Sequence, residues 1–193
     1  MSTQTRTLSV ELFSTLDGFA SGTESEGYFG LYGPDLEAWI GDVATPAHVM
    51  VMGRKTYVEL AGIVAGGGDP WFARMNELPK LVFSSTLEEP LSWENSTLVR
   101  DDAATALATM KAEPGDPFRV VGSLSMLPAL LTAGLVDRLK LVVFPRVLGT
   151  TGTAPIFTGL PDLDLRLVDT QVLDSRLVLL DYVPQPPRGS EGP

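Results

Sequence analysis

The sequence predicts an α/β protein, a three-layer α/β/α sandwich around a mostly parallel central sheet that ends in an antiparallel hairpin. Three observations carry this. Short apolar runs such as Val49-Met-Val-Met, Leu81-Val-Phe, Phe118-Arg-Val-Val and Leu139 to Phe144 recur along the chain, with the continuous apolar character of strands buried on both faces. Segments with helical spacing separate them, and parallel strands need such crossovers. The last two runs are divided only by Asp174-Ser175, a hairpin turn rather than a crossover.

In chain order, Leu8-Ser-Val-Glu-Leu-Phe-Ser alternates at period two and reads as the first strand; Asp17-Gly18 then opens a Gly/Ser-rich loop to about Gly33. Pro34 to Val43 reads as a helix with Leu36, Trp39, Ile40 and Val43 on one side. His48 to Met52 is a buried strand, and the helix from Arg54 to Leu60 runs out toward Gly66-Gly-Gly. A short helix over Trp71 to Glu77 and strands over Lys80 to Phe83 and Thr97 to Val99 follow. Asp101 or Asp102 caps a helix to Lys111. Phe118, Val120 and Val121 form a strand broken by Gly122, after which Ser123 and Ser125 supply a helix start. Leu139 to Phe144 is a strand, and Leu165 to Leu173 pairs with Arg176 to Val183. The expected organisation is a tail over 1–7, one domain over 8–183 and a Pro/Gly-rich, disordered tail over 184–193.

With no cysteine, the chain has no thiol nucleophile, no disulfide and none of the usual structural zinc sites, and no metal is expected. A zinc deaminase centre of the His/Cys/Cys kind is excluded with them. The net charge of −10, from 24 acidic and 14 basic residues, argues against nucleic acid and acidic membranes as partners. No apolar run is long enough to span a bilayer and Met1 to Arg6 carries no apolar signal core, so the expectation is a soluble, cytoplasmic protein.

Two strand-to-helix turns suit phosphate. At Val49-Met-Val-Met-Gly-Arg-Lys-Thr-Tyr, Gly53 permits a sharp turn, and the following helix start, Arg54, Lys55 and Thr56 can face one anion. At Gly122-Ser-Leu-Ser, residues Gly122, Ser123, Leu124 and Ser125 form a second. In an open sheet such turns gather outside the carboxyl ends of the strands, so one dinucleotide could cross both. Each turn alone is equally an unliganded turn or a capped core helix. Apart from Arg54, the cations near strand ends, Lys55, Lys80, Arg100 and Arg119, read more plainly as solvated surface charges, and the single His48 reads as structural.

Gly53-Arg-Lys-Thr-Tyr resembles the cofactor turn of dihydrofolate reductases. Together with Ser14-Thr-Leu-Asp-Gly-Phe, Val82-Phe-Ser-Ser-Thr-Leu, Gly122-Ser-Leu-Ser-Met-Leu, Gly134-Leu-Val-Asp-Arg-Leu, Phe144-Pro-Arg-Val-Leu-Gly and Pro155-Ile-Phe, it resembles more closely the reductase domain of bacterial riboflavin-biosynthesis deaminase-reductases, in the family's order from about Leu8 to Val183. The resemblance implies a dihydrofolate reductase-like fold, a small-molecule substrate, NADPH as cofactor with NADH as the alternative, and a homodimer formed through the apolar C-terminal strands. It implies that Ser84, Ser85 and Thr86 face the adenosine ribose. Many relatives carry a basic residue where this chain has Ser85, and Gly-Gly where it has Gly122-Ser123.

Hydride transfer needs a positioned cofactor and an excluded solvent rather than a triad or metal. Asp17, at the end of the first strand, is the catalytic candidate, since the matching aspartate of riboflavin reductases faces the substrate ribose; Asp-Gly is equally a common turn pair. A folate reductase instead carries a substrate-binding carboxylate on its first helix. Counting back from Gly53 brings Glu37 there, with Asp35 nearby, and both also suit the acidic first turn of any helix. The expected function is hydride transfer from NADPH to a ribose-like or related small electrophile, as in 5-amino-6-(5-phosphoribosylamino)uracil reductase. The alternatives are a dihydrofolate reductase and a nucleotide-binding module without turnover.

Overall fold

β1 (Leu8–Thr15) runs through the middle of an eight-stranded sheet, and the elements built on it follow in chain order. They are β2 (Phe19–Gly22), α1 (Pro34–Ala44), β3 (Val49–Gly53), α2 (Arg54–Ala65), α3 (Pro70–Glu77), β4 (Lys80–Phe83), β5 (Ser96–Val99), α4 (Ala103–Lys111), β6 (Phe118–Val121), α5 (Leu127–Thr132), β7 (Arg138–Phe144), β8 (Gly152–Pro155), β9 (Asp164–Leu173) and β10 (Leu177–Gln185). The computed structural model describes residues 6–44, 47–66 and 70–186. The strand order is β5-β4-β3-β6-β1-β7-β10-β9. The pairings from β5 to β7 are parallel, and β10 lies antiparallel to both β7 and β9.

The fold is the expected α/β/α sandwich, with helices on both faces of a mostly parallel sheet and the antiparallel hairpin at one edge. On one face Val10, Leu12, Val51, Val120 and Leu139 pack against Leu107 of α4 and Leu127 and Leu130 of α5. The other face is divided. Over β7 and β10, Leu36, Trp39 and Ile40 of α1 pack on Val142, Phe144, Leu177 and Leu179. Over β3 and β4, Tyr57 of α2 and Met75 of α3 pack on Met50, Met52 and Val82. The central strands β6 and β1 lie between these two clusters.

Charge is also buried. Lys80 is 1% exposed; its ammonium donates to the carbonyls of Leu78 (2.7 Å), Glu94 (2.9 Å) and Asn76 (3.2 Å) and lies 4.7 Å from the Trp93 ring centroid. It ties α3, β4 and the loop before β5 together, and is therefore not the solvated surface charge that the sequence suggested. Burial pushes it down to about 8, against which the negative charge of Glu94 acts.

Four boundaries differ from expectation for identifiable reasons. The loop from Gly18 to Gly33 contains β2, which pairs with β8 to form a separate two-stranded sheet, a long-range pairing with no local signature. The helix after Gly53 continues past Leu60 to Ala65. Ser123 does not start a helix: Gly122 and Ser123 both take left-handed backbone (φ 60° and 61°), and α5 begins at Leu127 with no side-chain cap. The last strand runs on to Gln185. Its pairing with β7 ends at Tyr182, so Pro184 bonds only toward β9 and its missing N–H costs the sheet nothing on the open side. Of the disordered tail expected over 184–193, Pro184 and Gln185 belong to β10, and 187–193 lie outside the described residues, as do 1–5 of the N-terminal tail.

Candidate active site

The carboxyl ends of four consecutive strands carry the residues singled out in the sequence. In sheet order, Ser84-Ser85-Thr86 follow β4, Gly53-Arg54-Lys55-Thr56 join β3 to α2, Gly122 to Ser125 follow β6, and Asp17 follows β1. Strands are about 4.8 Å apart, so the row spans about 14 Å along one sheet edge. That is the placement at which open α/β sheets bind their ligands.

The two glycine turns meet. Ser123 Oγ accepts from the Gly53 N–H at 2.7 Å and lies within donating distance of Val121 O (3.2 Å) and Thr56 Oγ1 (3.3 Å). Gly122 sits at φ 60°, and a Cβ there would stand 3.0 Å from Thr56 Oγ1, so only glycine lets the turns approach this closely. Gly53 is the N-cap of α2 and provides no side-chain cap, which leaves first-turn N–H groups of that helix open to an anion. Arg54 and Lys55 are exposed and form no ion pair among the described residues. Leu124 packs partly into the core, whereas Ser125 is exposed.

The turn after β4 is braced from within. Ser84 Oγ accepts from the N–H groups of Thr86 and Leu87, both at 3.1 Å. Arg100, at the end of β5, donates to the carbonyls of Ser85 (3.3 Å) and Leu87 (3.0 Å). A guanidinium therefore lies beside Ser85, supplied by a neighbouring strand.

Asp17 holds a loop. Its Oδ2 accepts from the N–H groups of Gly149 (2.8 Å) and Leu148 (3.0 Å), and its Oδ1 from Thr15 Oγ1 (2.7 Å). The Thr15 hydroxyl, and then the two backbone N–H groups, hold this exposed carboxyl below its ordinary value, so it is ionised at neutral pH. It is an acceptor and a positioning charge, not a stored proton.

Asp35 and Glu37 lie apart from the row. Asp174 in the β9–β10 turn accepts from the N–H groups of Asp35 (2.9 Å) and Leu36 (3.2 Å), and Asp35 Oδ2 accepts from the Asp174 N–H at 2.7 Å. Gly33 permits this, since a Cβ there would collide with the Asp174 carboxylate. Asp35 is thus engaged in a reciprocal cap, and Glu37 is exposed on the first turn of α1. Tyr28 and Glu11 escaped the sequence reading, and Arg119, read there as a solvated surface charge, is instead largely buried. Glu11 and Arg119 are hydrogen-bonded across β1 and β6, and a partnership 108 positions apart leaves no local pattern. A cavity of about 340 Å³ lined by His48, Arg74, Glu77 and Asp116 opens at the amino ends of β3, β4 and β6, on the edge opposite the row. Among the described residues there is no cluster able to hold a metal ion, and no helix long and apolar enough to cross a membrane.

Comparison with known proteins agrees with this architecture. The family model for the RibD C-terminal domain matches residues 6–179, and the chain belongs to that family. It is 26% identical over 184 residues to the uncharacterized protein YyaP of Bacillus subtilis, covering 92% of this chain and 94% of the relative. The solved structure of a putative riboflavin biosynthesis protein from Shewanella sp. PV-4 superposes with a TM-score of 0.67 at 21% identity, covering 93% of this chain and 99% of that one. Dihydrofolate reductase from Enterococcus faecalis, solved with NADP(H), superposes at 0.60 and 14% identity over 92% and 96% of the two chains. The fold is dihydrofolate reductase-like, and family membership places the chain among reductase-type domains.

Proposed function

We propose that this chain is an NADPH-dependent reductase that transfers hydride to a ribose-like or related small electrophile. One observation carries the reading: three polar turns and a carboxylate lie in line on consecutive strands at one sheet edge. The residues fit a nicotinamide dinucleotide. Gly122 lets its turn pack directly against Thr56, and the open start of α2 beside Arg54 and Thr56 suits a pyrophosphate. When bound, the cofactor supplies the hydride. Arg54, Lys55 and the two turns hold its phosphates, Arg100 beside Ser84, Ser85 and Thr86 stands at the adenosine end, and Asp17 faces the reacting end.

Asp17 acts here as an ionised acceptor. Two of its hydrogen bonds fix the Leu148-Gly149 turn, and its remaining lone pairs can orient a substrate hydroxyl. The commitment of Asp35 to the Asp174 turn weighs against a folate reading that uses Asp35, whereas Glu37 stays exposed on the first turn of α1. The proposal includes a homodimer through β9, an edge strand of 10 residues with Leu165, Leu167, Val168 and Val172 all exposed. Oxidation of NADPH, followed by loss of its absorbance with candidate pyrimidine and pteridine substrates, tests the reading; the absence of any NADPH binding by the intact protein refutes it.

A further inference from the structure

The turn between β9 and β10 grips the chain that leads from β2 into α1. Asp174 and Ser175 both take left-handed backbone (φ 51° and 57°), as a two-residue hairpin turn in a twisted sheet requires. From that turn the Asp174 carboxylate accepts from the N–H groups of Asp35 and Leu36, the Asp174 N–H donates to Asp35 Oδ2, and Arg176 Nη2 donates to Leu31 O at 3.3 Å. These four hydrogen bonds clasp residues 31–36 to the hairpin.

The clasped segment continues into the wall of a cavity. Glu26, Phe29, Gly30 and Leu31 line a space of about 220 Å³ opposite Arg146. Arg146 O accepts from the Leu16 N–H at 2.9 Å, and Leu148, two residues on, is held by Asp17, so the cavity adjoins the Asp17 end of the row. Within the wall Phe29 packs on Phe144 and Tyr28 on Phe13, with ring centroids 5.2 and 5.3 Å apart. The N–H groups of Phe29 and Leu31 donate to Glu26 O and Tyr28 O, both at 2.9 Å.

The clasp also stands at the end of the edge strand. Leu173, which closes β9, is 6% exposed and directly precedes Asp174. Along β9 itself the charges match a second copy. Asp169 lies opposite Asp181 and Leu167 opposite Tyr182, so Val168 is an extra residue, and this bulge brings Arg166 and Asp169 onto the same sheet face. Both are exposed. A copy laid antiparallel along β9 about Leu167 places Arg166 of each copy opposite Asp169 of the other.

We propose that Asp174 and Arg176 are positioning residues that couple the β9 edge, closed by a second copy of this chain, to the loop 27–33 beside Asp17. Pairing along β9 stiffens the hairpin, and the clasp passes that order to the cavity wall; by linkage, a loosened wall weakens the pairing by the same factor. The coupling rests on the homodimer included in the reading above, and the cofactor row takes no part in it.

Amide hydrogen exchange of the full chain, read at Phe29 and Leu31, tests the coupling, because neither amide is bonded to Asp174 or Arg176. Light scattering first fixes one protein concentration at which the wild type is dimeric and one at which it is monomeric. Exchange at the two amides should be about fivefold or more faster in the monomer, the scale of losing one or two hydrogen bonds. At the higher concentration Arg166→Asp, which sets aspartates against each other across the edge, should give the monomer and its fast exchange, and adding Asp169→Arg should restore both dimer and slow exchange. Asp174→Ala and Arg176→Ala should still dimerise at the higher concentration yet exchange fast at both. Arg176→Lys, which can still donate to Leu31 O, should behave as the wild type. A wild type that is monomeric throughout refutes the dimer and the coupling together. A dimer whose formation leaves Phe29 and Leu31 unchanged, or clasp variants that keep the concentration dependence, overturns the coupling and leaves the dimer standing.

Discussion

Under the proposed reading Arg54 and Arg100 hold the phosphates and divide the work. A charge-assisted hydrogen bond contributes about 1.5 to 3 kcal/mol, so Arg54→Ala should weaken NADPH and NADH alike by roughly ten- to a hundredfold in a fluorescence titration. Arg100 is held beside Ser85 by its bonds to Ser85 O and Leu87 O. Arg100→Ala should therefore weaken NADPH by about tenfold and leave NADH unchanged. Lys80 makes a different prediction. Its folded value is depressed to about 8 from an ordinary 10.5, so between these values the unfolded chain binds more protons and stability rises with pH. Urea midpoints should increase from pH 8 toward 10.5, and Lys80→Met should flatten that rise. The types of residue needed at Gly53, Arg54 and Gly122 were legible in the sequence because they follow from local backbone chemistry. The roles of Lys80, Glu11 and Arg119 were not, because each depends on strands brought together from distant parts of the chain.

At the scale of elements, the site is two turns joined by one serine. Gly122→Ala imposes a Cβ at φ 60° and 3.0 Å from Thr56 Oγ1, which should cost about 1 to 2 kcal/mol of stability and push the turns apart. Its NADPH affinity should fall more than that of Ser125→Ala, which alters an exposed side chain. A second element-scale device caps α1 from the hairpin: Asp174→Ala should destabilise the fold by about 1 kcal/mol without affecting cofactor affinity, as seen by denaturation and titration of the same variant. Strands β3, β4, β6 and β7 were legible to within a residue or so, because continuous apolar runs of this length admit little else. The small β2–β8 sheet was not, since Phe19 to Gly22 and Gly152 to Pro155 carry no alternation and gain their order only by pairing. The reading of Ser123 as a helix start failed for a local reason: the glycine before it carries it into left-handed backbone, where its hydroxyl serves Gly53 instead of a helix.

Across the whole molecule, the exposed apolar strand at one end and the polar row at the middle of the sheet are separate features and should respond separately. Replacing Leu167 and Val172 with Lys should convert a dimer to a monomer in light scattering while NADPH affinity stays within about twofold. A wild type that is monomeric at all concentrations refutes the proposed dimer and leaves the cofactor site untouched. The strand order was the least legible level, because nothing local announces that β6 inserts between β3 and β1; yet it is this order that converts four separate motifs into one row. Amide hydrogen exchange with and without NADPH tests that row most directly. The account predicts added protection together at 53–57, 84–88 and 122–127, the three turns that consecutive strands bring to one edge. Protection confined to the opposite edge, around His48 and Leu78, or no change anywhere at saturating NADPH, would contradict it.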